Sequence, residues 1–128
     1  MTYLFDSNTV IDYLAGNMPA QAMAAMHNIV NQGFCISVIT NIETLSFESG
    51  NPTIDANTIA FVQMAIMFDL TNDIVKETIL LRKLKKKLKT PDAIIAATAI
   101  AYNLTLLTRN VSDFANLPGL SIINPHTL

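Results

Sequence analysis

One cysteine, Cys35, occurs in 128 residues, which excludes an internal disulfide framework. Set among Phe34, Ile36 and Val38, it reads as a small buried thiol. No apolar run approaches the roughly 18 residues of a membrane span, so no membrane association is expected, although 51% of the residues are apolar and the mean hydropathy is +0.38. The opening residues Met1 to Asp6 carry no basic segment ahead of a long apolar one, so no secretory leader is expected and the location is expected to be cytoplasmic. Histidine is scarce too, with two residues. His27 and His126 lie in no supporting motif, which removes the basis for zinc-type N/S ligation and for a Ser/His/Asp hydrolase. The apolar surplus that has no membrane to enter should feed a dimer contact or a partner groove.

The length fits a single domain, residues 1–128, with a sizeable core. Net charge is only −2, but six of the eight basic residues lie between Arg82 and Lys89. Such a run is either the solvated, macrodipole-favoured C-terminus of a helix, with Leu84 and Leu88 facing the core, or a basic approach for a polyanion.

Short β-prone runs alternate with helical patterns. Tyr3 to Phe5 reads as a strand closed by Asp6, followed by a helix from Ser7 and Asn8 that Gly16 to Pro19 breaks. Ala20 to Val30 reads as a second helix and Phe34 to Ile39 as a second strand. Thr40 to Glu43 has capping-box spacing, which puts Glu43 in the first turn of the next helix. Ile54 to Phe68 is predicted as one helix, apolar over most of its circumference and therefore buried or part of an interface, with a short strand at Phe68 to Leu70. A helix capped by Asn72 or Asp73 runs toward the lysines. Thr90 to Phe114 then reads as helix, strand and helical turn, with Thr90 and Asn110 as N-caps, and Leu120 to Ile123 as a last strand. The alternation predicts an α/β fold, a mostly parallel sheet of four to five short strands with helices on both sides.

In such folds sites form beyond the carboxyl ends of the strands. Asp6, Glu43, Asp92 and Asp113 all fall at that edge. Each has a structural alternative as a cap or a helix-dipole partner, but four crowded carboxylates repel one another unless something positive lies between them. A hard divalent cation with oxygen ligands is the usual solution, and it points to phosphodiester hydrolysis by metal-activated water with no protein nucleophile. Asp12 reads as a solvent-facing helix residue.

The segments Asp6-Ser7-Asn8, Ser37 to Glu43, Pro91 to Ala99 and Thr108 to Phe114 together resemble the PIN-domain nucleases, in particular the VapC toxins of toxin–antitoxin pairs. The resemblance spans nearly the whole chain. It implies a PIN-type three-layer α/β/α sandwich and a Mg²⁺- or Mn²⁺-dependent endoribonuclease, with Asp6, Glu43, Asp92 and Asp113 as catalytic, metal-binding acids. It further implies a homodimer and a VapB-type antitoxin partner. Asn8, Thr108 and Asn110 would order the acids or the scissile phosphate, and Lys85, Lys86 and Lys87 would help to position RNA. Ser7 stands where many relatives have threonine and keeps the hydroxyl.

A haloacid-dehalogenase-type phosphotransferase would need an aspartate where the chain has Asn8. A response-regulator receiver would need a phosphoacceptor after the third strand, where Phe68-Asp69-Leu70 is a poor context. The remaining alternative is a catalytically silent PIN-like module that binds RNA or protein. Four retained acids argue against it, because a binder of polyanions gains nothing from a negative pocket.

Overall fold

A computed structural model describes residues 2–128. Its centre is a five-stranded, entirely parallel sheet in the order β3-β2-β1-β4-β5, formed by β1 (Tyr3–Phe5), β2 (Cys35–Ser37), β3 (Ile66–Phe68), β4 (Thr105–Leu107) and β5 (Ser121–Ile123). The register aligns Leu4 with Cys35 and Leu106, and Phe5 with Ile36 and Leu107. Successive strand side chains point to opposite faces, so each pair of apolar residues feeds both sides of the sheet. Leu4, Cys35 and Leu106 enter a core with Ile74, Leu81, Ile95 and Phe114, whereas Phe5, Ile36 and Leu107 enter one with Val10, Met26, Phe34 and Phe61. The helices that supply these partners are α1 (Ser7–Ala15), α2 (Ala20–Gln32) and α4 (Pro52–Gln63) on one side. On the other are α5 (Asn72–Leu84), α6 (Thr90–Ala101) and α7 (Val111–Phe114). α3 (Val38–Ser46) packs against α1, α4 and α6.

The predicted three-layer α/β arrangement is what the chain adopts. The apolar run Ala93 to Tyr102 predicts a buried helix, and α6 has every residue from Ala93 to Ala99 buried. Its one polar member there, Thr98, donates its hydroxyl to the Ile94 carbonyl at 2.7 Å. Gly16 ends α1 in the left-handed conformation at φ 69°, and Asn103 follows α6 at φ 53°. No helix of the described residues is long and apolar enough to cross a membrane.

Several boundaries differ from the sequence expectation. β2 stops at Ser37, and Val38 and Ile39 are helical, because the Ser37 hydroxyl accepts from the Thr40 amide at 3.3 Å and caps α3. Glu43 therefore sits in the second turn of α3, not the first. The predicted helix Ile54 to Phe68 divides into α4 and β3, whose Ile66, Met67 and Phe68 pair with Cys35, Ile36 and Ser37. The sheet needed a strand beside β2, and an uninterrupted apolar run carries no signal for where a helix yields to one. Only Phe61 and Val62 of α4 are buried, while Ile54, Ile59 and the adjoining Met64 are exposed. The N-caps of α5 and α6 are Thr71 and Lys89, ahead of the expected Asn72 or Asp73 and of the expected Thr90, and Asn110 occupies the N-cap of α7 without a side-chain capping bond.

Candidate active site

β1 delivers Asp6 directly off its carboxyl end. The residue is 5% exposed and caps α1, its Oδ1 accepting from the Thr9 amide at 2.8 Å. Burial pushes its carboxyl above the ordinary value. The Thr108 hydroxyl, Thr9 and the Arg109 charge pull it back. Thr9 is in turn tied to the sheet, its hydroxyl donating to the Leu107 carbonyl at 2.7 Å, so Asp6 is held by the junction of β1, α1 and β4.

Glu43 reaches the same edge from α3, where Ser7 donates its hydroxyl to Oε1 at 2.6 Å across 36 residues of sequence. Asp92 lies in the first turn of α6, a favourable place for negative charge. Its pKa is nevertheless raised, first by burial and then by the charges of Glu43, Asp113 and Asp6, with Lys89 opposing. All three other predicted acids thus act on Asp92 through space. Asp113, on α7, is exposed and shares with Asp92 the lining of a hollow of about 420 Å³, together with Lys85, Lys87, Leu88, Lys89 and Ser112.

Thr108 is fully buried and its hydroxyl accepts from the Asn110 amide at 3.1 Å, which shapes the turn between β4 and α7. Asn8 accepts from Arg109 Nη2 at 3.4 Å. The basic run divides between two faces of one turn. Lys85, Lys87 and Lys89 border the acidic hollow, whereas Arg82, Lys83 and Lys86 border a separate, mainly apolar groove of about 550 Å³ with Leu70, Val75 and Ile79. Lys85 is committed to the backbone, donating to the carbonyls of Ser112, Asp113 and Ala115 at 3.0, 2.8 and 3.1 Å.

Asp12 is not solvent-facing. It is 4% exposed, and its oxygens accept from Arg109 Nη1 at 3.2 and 3.0 Å and lie 3.0 Å from His126 Nε2. This network joins α1, the turn after β4 and the 3₁₀ turn Pro125–Thr127. Counting only apolar residues along α1 missed it. Asp12 lies three residues after the buried Thr9, on the inward stripe, and that spacing was the available signal.

No three His, Cys, Asp or Glu side chains among the described residues are gathered closely enough to hold a metal ion by themselves. The donor set does suit a hard, hydrated divalent cation. Such an ion takes one or two carboxylates, several waters and substrate phosphate rather than an all-protein cage.

The profile of the PIN domain family matches residues 3–120. Among solved structures, a toxin–antitoxin complex from Klebsiella pneumoniae is similar at 30% identity and a TM-score of 0.76, covering 97% of this chain and 98% of that one. DNA-bound VapBC from Salmonella typhimurium superposes with a TM-score of 0.82 at 23% identity, covering 98% of each chain. FitAcB from Neisseria gonorrhoeae gives 0.71 at 20% identity, over 99% of this chain and 100% of that one. No curated protein matches the chain.

Proposed function

The chain belongs to the PIN domain family, and from that premise we propose that it is a Mg²⁺- or Mn²⁺-dependent endoribonuclease acting as the VapC-type toxin of a toxin–antitoxin pair. The observation that carries the reading is the delivery of four acids by four different elements to one edge of the sheet, close enough that Glu43, Asp113 and Asp6 all burden Asp92. A structural cap needs no such company. In this reading Asp6 and Asp92 hold the cation, with Glu43 and Asp113 completing the negative field. A bound divalent ion supplies the charge that lowers the pKa of water and stabilises the phosphoryl oxygens.

The chain's own residues do the rest. Thr9 fixes the Asp6 carboxylate, and Ser7 fixes the rotamer of Glu43. Lys87 and Lys89, beside Asp92 in the hollow, draw the RNA backbone toward an otherwise repellent site. Asn8, Thr108 and Asn110 order the turn that borders it. Exposed Ile42, Leu45, Phe47, Ile54 and Ile59 offer an apolar face to a VapB-type antitoxin or a second copy of the chain. The place of action would be the cytoplasm.

The test is incubation of the purified chain with total cellular RNA in Mg²⁺ or in EDTA, with the new ends mapped by sequencing. Discrete Mg²⁺-dependent cuts that vanish in Asp6→Asn are expected. Cleavage that persists in EDTA or in that variant would overturn the assignment.

A further inference from the structure

The three hydrogen bonds of Lys85 mark a role at the site that differs from contact with RNA. An ammonium group has three donors and no acceptor. Here all three are spent, on the carbonyls of Ser112, Asp113 and Ala115. These carbonyls belong to the end of α7, a helix of only four residues, which is too short to sustain itself by its own hydrogen bonds. What holds α7 is Phe114, 1% exposed in the core, and the Lys85 charge placed where helix carbonyls converge. Asp113 precedes Phe114, and its own carbonyl makes the shortest of the three bonds. The orientation of that turn decides where the Asp113 carboxylate points. Lys85 reaches it from the C-cap of α5, a residue whose amide is anchored to the Leu81 carbonyl at 2.9 Å, so the clamp has a fixed base in the core helix.

We infer that Lys85 is a positioning residue: its ammonium clamps the α7 turn so that Asp113 faces Asp92 across the hollow, and it is thereby withdrawn from the RNA-binding lysines. The inference rests on the acidic site proposed above and deepens it. It divides the basic run by task, with Lys85 organising the acids and Lys87 and Lys89 meeting phosphate.

The experiment measures Mn²⁺ affinity of the full chain from the electron paramagnetic resonance of free Mn²⁺, for wild type and for Lys85→Met, Asp113→Asn, the double variant and Asp6→Asn. Lys85→Met keeps the apolar stem and should weaken Mn²⁺ binding about 10-fold, as loss of an outer-shell partner does. The double variant should bind no more weakly than Asp113→Asn alone, because the lysine acts only through that acid. RNA binding measured in EDTA should keep its salt slope in Lys85→Met and lose about one unit of it in Lys87→Met. Lys85→Arg, which retains the charge, should keep most of the Mn²⁺ affinity, and Lys85→Gln, polar but uncharged, takes the place of Lys85→Met with the same loss expected if Lys85→Met does not fold. Wild-type Mn²⁺ affinity in Lys85→Met, additive losses in the double variant, or a reduced salt slope in Lys85→Met would each overturn the clamp. Mn²⁺ binding indifferent to Asp6→Asn as well would instead overturn the acidic site on which it rests.

Discussion

Replacing Asp92 by asparagine should make the metal-free protein more stable and the metal-loaded protein less so. In the absence of a cation, the partly buried Asp92 carboxylate bears desolvation and the repulsion of Glu43, Asp113 and Asp6. Neutralising it removes those costs and forfeits its interaction with the α6 N-terminus, about 0.3–1 kcal/mol, and its attraction to Lys89. Solvent screening trims the repulsions, and the net gain is about 1 kcal/mol, of the order seen when charge conflicts are relieved. For a domain of this size that is about 3 °C in Tm. The pH dependence has a definite sign. Because folding raises the Asp92 pKa, the native state holds its proton more readily, and wild-type stability falls as pH rises through the raised pKa. The advantage of Asp92→Asn is therefore present at neutral pH and disappears in acid, where the Asp92 carboxyl is protonated in both the folded and the unfolded chain. A ligand that binds only the folded state, at about 100 times its Kd, contributes about 2.7 kcal/mol. Mn²⁺ should therefore lift the wild type past the variant. Differential scanning fluorimetry in EDTA and in Mn²⁺ reads both orders. A variant less stable than wild type in EDTA at neutral pH, or equal Mn²⁺-induced shifts in the two proteins, would refute the reasoning.

Asp6→Asn should preserve the fold, because asparagine caps a helix as well as aspartate does, while cleavage of total RNA falls at least about 100-fold; circular dichroism and a gel assay read the two. Asp12→Ala should cost about 2 kcal/mol in urea denaturation, less than a fully buried ion pair because Arg109 is half exposed and rehydrates. Since Asp6 and Asp92 both titrate above the ordinary carboxylate value, Mn²⁺ affinity should climb with pH through a midpoint higher than that of a free carboxylate, as calorimetric titration at several pH values would show. Neutralising Lys87 and Lys89 together should lower the salt slope of RNA binding by about two, whereas Lys86→Gln, on the far side of the turn, should leave it unchanged.

The parts of the fold legible in the sequence were those where local chemistry and tertiary demand agree. Tyr3 to Phe5, the break at Gly16, and the Pro91-led helix each carry their own stop or start signal; the first two fall where expected and the third begins one residue early. Boundaries failed where local signals conflict or where the signal is tertiary. At Val38 and Ile39 two local signals compete, since β-branched residues suit a strand while the Ser37 cap makes them helical. Ile66 to Phe68 becomes a strand because β2 offers it an open edge. The four candidate acids could be picked out because Asp6, Asp92 and Asp113 sit beside a strand end or a helix start and Glu43 lies one turn into α3. Their supports were not: Ser7 to Glu43, Lys85 to the α7 carbonyls and Asp12 to Arg109 and His126 span 27 to 114 residues, and only the fold brings such pairs together.

The central claim is that the edge bearing Asp6, Glu43, Asp92 and Asp113 binds a divalent ion. Its most direct test is a crystal grown with Mn²⁺ and measured for anomalous scattering. The account predicts a Mn²⁺ peak within bonding distance, about 2.0–2.3 Å, of carboxylate oxygens of Asp6 and Asp92. A saturated crystal with no peak at that edge, or with Mn²⁺ bound only elsewhere, would contradict it.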